Sequence, residues 1–211
     1  VEYQEKTGVI VETAKGLEYG TVVMGVTDMP EEKIVHPLKP IIRKATEKDE
    51  KTVKDNEKKI PEAMAFALEK INELNVSKNF VGSTIAGSIR SANAHYANML
   101  LAIYLATGQD SANIVEGSQG ITYTSINDDG SLYFSVNLPN IVIGTLGNGK
   151  DVDFAVQNLT LMGCEGNSEK LAAIIGAVVL CGELSLLAAL TNEGELMKAH
   201  ISLERRKNDR N

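Results

Sequence analysis

One stretch limits what this chain can fold into more than any other. Residues Leu171 to Leu190 read LAAIIGAVVLCGELSLLAAL. Twenty such residues are long enough to cross a bilayer as a helix. But Glu183 and Ser185 sit inside the run, Lys170 marks one end, and alanine and glycine make up much of the rest. An ionised carboxylate in lipid is costly. The run is therefore read as a buried helix of a soluble core, suited to a subunit interface, and not as a membrane span. A chain of 211 residues is long enough to bury a core around it.

The rest of the pattern alternates between strands and helices. Val9–Thr13 and Thr21–Val26 are β-branched runs, and Lys15-Gly16 lies in the connection between them, which predicts a hairpin. Pro30, Pro37 and Pro40 punctuate an extended segment. Thr46 can cap a helix whose first turn holds Glu47 and Asp49, and Pro61 starts or kinks the helical stretch 61–74. The charged stretch 46–59 is the natural boundary between a β-rich segment, 1–59, and a second region, 60–211. In that region helices are expected from about Ala92 to Thr107, over 152–162 and over 168–190, with a polar helix from Glu193 to about Arg206. A hairpin is expected over 121–138, turning at Asp128-Asp129-Gly130, and a short strand at Ile141–Ile143. The fold class is α/β or α+β.

The net charge of -7 argues against wholesale nucleic-acid binding, because an acidic surface repels phosphate backbones. Cys164 and Cys181 form no CxxC and no metal-ligand spacing, so two buried or idle thiols in a reducing compartment are expected. No metal site is predicted, and the polar opening Val1–Gly8 is not a secretory signal.

Three features could carry chemistry. Asp110, in GQD after a helix end, could hold a cation or accept hydrogen bonds, or could simply cap a turn. GTLGNG, Gly144 to Gly149, has three glycines in six residues and could bring backbone N–H groups to a phosphate, or could be an ordinary turn. It is neither a GxGxxG nor a P-loop. The three histidines are His36, read as a surface residue, His95, placed mid-helix three residues from Asn98, and His200, in an exposed terminal helix. On local sequence alone each has an ordinary structural explanation.

Read in order, the segments resemble one family. KNFVGSTIAGSIRSANAHYANMLLAIYLATGQDSAN (78–113), LYFSVNLPNIVIGTLGNGK (132–150) and LCGELSLLAALTNEGELMKAH (180–200) closely resemble three signatures of the hydroxymethylglutaryl-CoA reductases, in that family's order. The resemblance implies the C-terminal half of that catalytic domain over residues 78–206, part of its large domain. It implies reduction of a CoA thioester to mevalonate by two hydrides from NADPH, or NADH, in a cytoplasmic homodimer that builds its site across the subunit interface. By resemblance, Asp110 sustains a lysine–carboxylate proton network and His200 protonates the CoA thiolate. Lys78 pairs with the substrate's free carboxylate, with His95 and Asn98 beside it. Leu186, Ala189 and Leu190 line the acyl pocket. Gly144, Thr145, Gly147, Asn148 and Gly149 approach the cofactor.

The chain departs from the family's usual pattern in places. GTLGNGK stands where GTVGGGT is usual, and Arg90 stands where glycine is usual. The family also uses a glutamate, a lysine and a cofactor loop that residues 1–77 do not display. Those residues instead resemble the start of the polymerase-suppressor C-terminal domain family, in GVIVETAKGLEYGTVVMG (8–25) and VHPLKPIIRKAT (35–46). Two alternatives to a reductase therefore stay open: a non-catalytic protein that binds CoA thioesters, and a protein-interaction module.

Overall fold

The computed structural model describes residues 3–13, 16–34 and 38–204, and of residues 148, 199 and 202–204 the backbone alone. Lys15 in the expected turn, His36, Pro37 and the helix end at Arg205–Arg206 lie outside the described residues. The chain divides into two compact units, Val1–Ala63 and Met64–Asn211.

The first unit is built on an antiparallel sheet of β1 (Gly8–Thr13), β2 (Gly16–Thr21) and β3 (Ile41–Lys44), in the order β2-β1-β3. The central strand buries Val9 and Ile10. β2 ends where Thr21 meets Gly8, the first residue of β1. The second strand, expected over Thr21–Val26, is instead Gly16–Thr21, and Val23, Met24 and Val26 lie beyond it and are exposed. β3, not anticipated among the prolines, starts directly after Pro40, where a missing N–H costs the ladder nothing.

The helix α1 (Glu47–Leu74) opens with the expected cap. Asp49 Oδ2 accepts from the Thr46 backbone N–H at 2.8 Å and from its hydroxyl at 2.7 Å. Arg43 donates to both oxygens of the same carboxylate, at 2.6 and 3.1 Å. The Arg43 guanidinium, with Thr46 behind it, holds the Asp49 carboxyl well below the usual carboxylate range. Pro61 lies inside α1, so of the two expected roles it does not start a helix. Proline frees the carbonyl four residues back. Glu57 is exposed, so water can take that carbonyl.

In the second unit the chain passes from α1 into a π-helical segment, Asn75–Gly82, and a short α2 (Ser83–Ile85). Then come α3 (Tyr96–Ala106), α4 (Ile114–Gly117), the hairpin β4 (Ile121–Ile126) and β5 (Leu132–Asn137), α5 (Asp153–Leu161), α6 (Ser168–Leu190) and α7 (Glu195–Glu204). The long apolar run forms α6. Leu171, Ile175, Val179, Glu183 and Leu187, four residues apart, make a fully buried stripe. It packs on Tyr96, Leu100 and Tyr104 of α3, with Leu159 and Cys164 completing the core. Burial pushes the Tyr96 hydroxyl up to about 12. Asn167 caps α6 by accepting from the Lys170 N–H at 3.0 Å.

Two expectations fail here. α3 begins at Tyr96 rather than Ala92, because the preceding segment is bonded to β4: Ala92 N–H donates to Gly120 and Thr122 N–H donates to Ala92. Ile141–Ile143 is not a strand; Ile141 and Ile143 pack on the core from a loop. Cys164 is buried, but Cys181 is exposed on α6.

Candidate functional site

The two ends of α3 organise the candidate residues. At its C-terminal end, Gly108 turns the chain with φ 65°. A methyl group there would overlap the Gly149 carbonyl, so the two backbones touch only because residue 108 is glycine. Buried Gln109 ties the same two segments together. Its Nε2 donates to the Gly144 carbonyl at 2.9 Å, and its Oε1 accepts from the Gly144 N–H at 3.0 Å. One side chain thus satisfies both backbone groups of a residue 35 positions away.

Asp110 follows directly. It is exposed, and its Oδ1 accepts from the Ala112 N–H at 2.9 Å, capping a short 3-10 turn. The local reading of Asp110 as a cap is therefore correct as geometry, and one carboxylate oxygen remains uncommitted to that bond. Leu105, Gly108, Gln109, Asp110, Gly149 and Phe154 border an open cavity of about 400 Å³. The structure thus brings Asp110 together with the glycine-rich segment. Within that segment Thr145 is half-buried, Gly147 takes φ 70°, and the side chain of Asn148 lies outside the described residues. Lys150, which follows, is buried.

At the other end of α3, His95 is the residue before the helix and not a mid-helix histidine as expected. It is held twice. Its backbone N–H donates to Glu183 Oε1 at 2.7 Å, and its Nε2 lies 2.8 Å from the Gly182 carbonyl. A carbonyl can only accept, so Nε2 carries the proton and Nδ1 is left to face other groups. Glu183 Oε2 accepts from the Ala94 N–H at 2.9 Å and from the Thr122 hydroxyl at 2.7 Å. The fully buried carboxylate has three donors and sits at the positive end of the α3 dipole, which offsets its desolvation.

Asn98 is exposed in the first turn of α3. Leu186 is half-buried one turn of α6 beyond Gly182, and Ala189 and Leu190 are half-buried near the end of that helix. Lys78 is exposed on the π-helical segment. That segment is anchored from inside: Asn75 donates to the Thr122 carbonyl at 2.8 Å and Asn79 donates to Asn75 at 2.7 Å. His200 is exposed on α7, where the sequence put it.

His95 and Asp110 thus flank an 11-residue helix. At 1.5 Å per residue that is about 16 Å, too far for both to touch one small acyl group. Glu183, Gln109 and Thr122 were not singled out as site residues. The signal for Glu183 was a carboxylate inside an apolar run, which must be satisfied wherever the run is buried. For Gln109 the only signal was its place beside Asp110.

The family profile described as hydroxymethylglutaryl-coenzyme A reductase matches residues 31–205. The match starts well before Lys78 and takes in 35–46, which by motif resembled another family. The chain is 50% identical over 151 residues to a 3-hydroxy-3-methylglutaryl-coenzyme A reductase of Methanocaldococcus jannaschii, covering 71% of this chain and 36% of that protein. The enzyme of the same name from Schizosaccharomyces pombe is 43% identical over 154 residues, 69% of this chain and 14% of its own length. Reductase 1 of Oryza sativa subsp. japonica is 40% identical over 159 residues, 71% of this chain and 30% of its own. The chain therefore spans about a third or less of these curated relatives.

Proposed function

Because this chain belongs to the hydroxymethylglutaryl-coenzyme A reductase family, we propose that it carries the C-terminal part of a site that reduces hydroxymethylglutaryl-CoA to mevalonate, in isoprenoid precursor synthesis. The observation that carries the reading is the double hydrogen bond from Gln109 to Gly144, which fixes Asp110 at the mouth of a cavity bordered by glycine backbone. Bare backbone beside a carboxylate suits the close approach of a planar, polar cofactor head. The cavity is large enough for a nicotinamide ring, and the dinucleotide bound there, NADPH or NADH, would supply hydride.

The chemistry needs two hydrides and two protons to turn the thioester into a primary alcohol and a free thiol. Once the thioester carbon has gained the first hydride, its oxygen would take a proton held through Asp110; that proton would return as the C–S bond breaks to leave an aldehyde and the CoA thiolate, and would be given again to the aldehyde oxygen at the second reduction. His200 protonates the departing CoA thiolate. Lys78 pairs with the substrate's free carboxylate, and His95 and Asn98 hold its polar atoms. Leu186, Ala189 and Leu190 receive the acyl chain.

The separation along α3 favours a shared site. In one chain the Asp110 end and the His95 end lie too far apart to touch the same acyl group. In a homodimer, the Asp110 end of one copy can face the His95 and Lys78 end of the other. The protein acts in the cytoplasm on this reading.

The test is NADPH oxidation by the purified chain with hydroxymethylglutaryl-CoA, with NADH in parallel. Turnover that depends on the thioester supports the reading. CoA-thioester binding without turnover would leave a preserved binding scaffold, and neither binding nor turnover would reject the assignment for this chain.

A further inference from the structure

Arg90 does not belong to the groups just described. It is one of two non-glycine residues with positive φ among the described residues, at 57°. A glycine stands there in the family's usual pattern, so the backbone has kept a glycine conformation while the side chain has become an arginine. The chain just after it is anchored by hydrogen bonds. Ala92 is bridged to Gly120 and Thr122, and Asn93 donates to the Ser118 and Gly120 carbonyls at 3.1 and 3.0 Å. The Arg90 side chain is exposed, and among the described residues it has no hydrogen-bond or ion-pair partner.

Two adjoining cavities share Arg90, Gln119, Pro139 and Asn140, and together they form one groove. One extends to Asn137, the other to Glu116, and they measure about 390 and 480 Å³. A guanidinium, three carboxamides and a carboxylate therefore border a single groove beside a proline ring. The guanidinium presents a fork that matches a planar carboxylate in two parallel hydrogen bonds. The carboxamides both donate and accept, and Glu116 only accepts when ionised. A dianionic phosphate fits less well: the groove offers one cation, and Glu116 opposes a second negative charge.

We propose that this groove binds a small hydroxy- or amino-carboxylate, with its carboxylate on Arg90 and its hydroxyl or amino group directed toward Glu116. The inference stands apart from the reductase reading, since none of its residues is assigned to that chemistry.

The test uses the full chain, with lactate and inorganic phosphate as separate probes, in ligand-observed NMR titrations. Lactate should bind saturably, and more tightly than phosphate. Arg90→Gly should weaken lactate binding by about tenfold. The same variant should melt no lower than the parent in ligand-free buffer, because glycine suits φ 57°. That melting result separates a lost ligand contact from a lost fold. Arg90→Lys should bind with intermediate strength, since it keeps the charge and loses the fork. The proposal is overturned if lactate does not saturate, if phosphate binds more tightly, or if Arg90→Gly binds lactate as the parent does.

Discussion

Glu183 grips His95 by its backbone: the carboxylate accepts the His95 N–H at 2.7 Å, while the neighbouring Gly182 carbonyl holds the imidazole at 2.8 Å. Consecutive residues of α6 thus fix both where His95 starts α3 and how its ring is turned. Glu183→Ala would leave the backbone N–H groups of Ala94 and His95 without their acceptor and the Thr122 hydroxyl with only the Tyr96 oxygen at 3.2 Å. The expected loss is about 3–5 kcal/mol of stability. Glu183→Gln should lose less, because its amide oxygen still accepts. Urea unfolding measures both, and a Glu183→Ala midpoint equal to that of the parent would mean the clamp contributes nothing.

The joint at the other end of α3 is tested by Gln109→Ala and Gly108→Ala. Gln109→Ala unpairs both backbone groups of Gly144, for a loss of about 1–3 kcal/mol. Gly108→Ala meets two obstacles, a positive φ and the Gly149 backbone, and should cost about 2 kcal/mol or more. Both should also weaken binding of the nicotinamide cofactor, read by quenching or enhancement of its fluorescence. Unchanged cofactor affinity in both would separate the glycine segment from the cofactor.

Asp110→Asn and His200→Gln should each lower reductase turnover by roughly a hundredfold or more. Neither should alter the far-ultraviolet circular dichroism, since both side chains are exposed. Full activity in both variants would remove these two residues from the mechanism while leaving the family membership untouched.

Asp49 predicts a pH dependence. Its folded pKa is depressed, chiefly by Arg43. A depressed carboxylate contributes stability above its unfolded pKa, about 3.9, and that contribution fades as pH falls from there toward the folded value. Parent and Asp49→Asn should therefore differ in urea midpoint at pH 7 and converge in acid. A difference that grows as pH falls would reverse the sign and refute the assignment.

The sequence was a good guide where one local pattern sufficed. The long helix, the hairpin turning at Asp128–Gly130 and the Thr46 cap all follow from periodicity or from residues within a few positions. It failed where a distant partner decided. Ala92–His95 looks helical, yet β4 claims its backbone and Glu183 claims the N–H of His95. Ile141–Ile143 looks like a strand, but among the described residues no strand is paired with it, and Ile141 and Ile143 pack on the core while Val142 is exposed. The π-helical segment had no local signature, since it depends on Asn75 reaching Thr122 across 47 positions. Among the candidate site residues, the motif residues were legible by resemblance. Gln109 and Glu183, which hold them, were not, because a supporting contact leaves its mark in space and not in spacing.

The touching backbones of Gly108 and Gly149 also bear on how such a chain can change over generations. Residue 108 cannot acquire a side chain while Gly149 stays in place, so drift is closed there, and a side chain at residue 149 would press on the Gly108 carbonyl. The residues on either side of Gly149 are under no such veto, and it is there, at Asn148 and Lys150, that this chain has left its family's habit. The joint acts as a fixed pivot in sequence space, with variation permitted only around it.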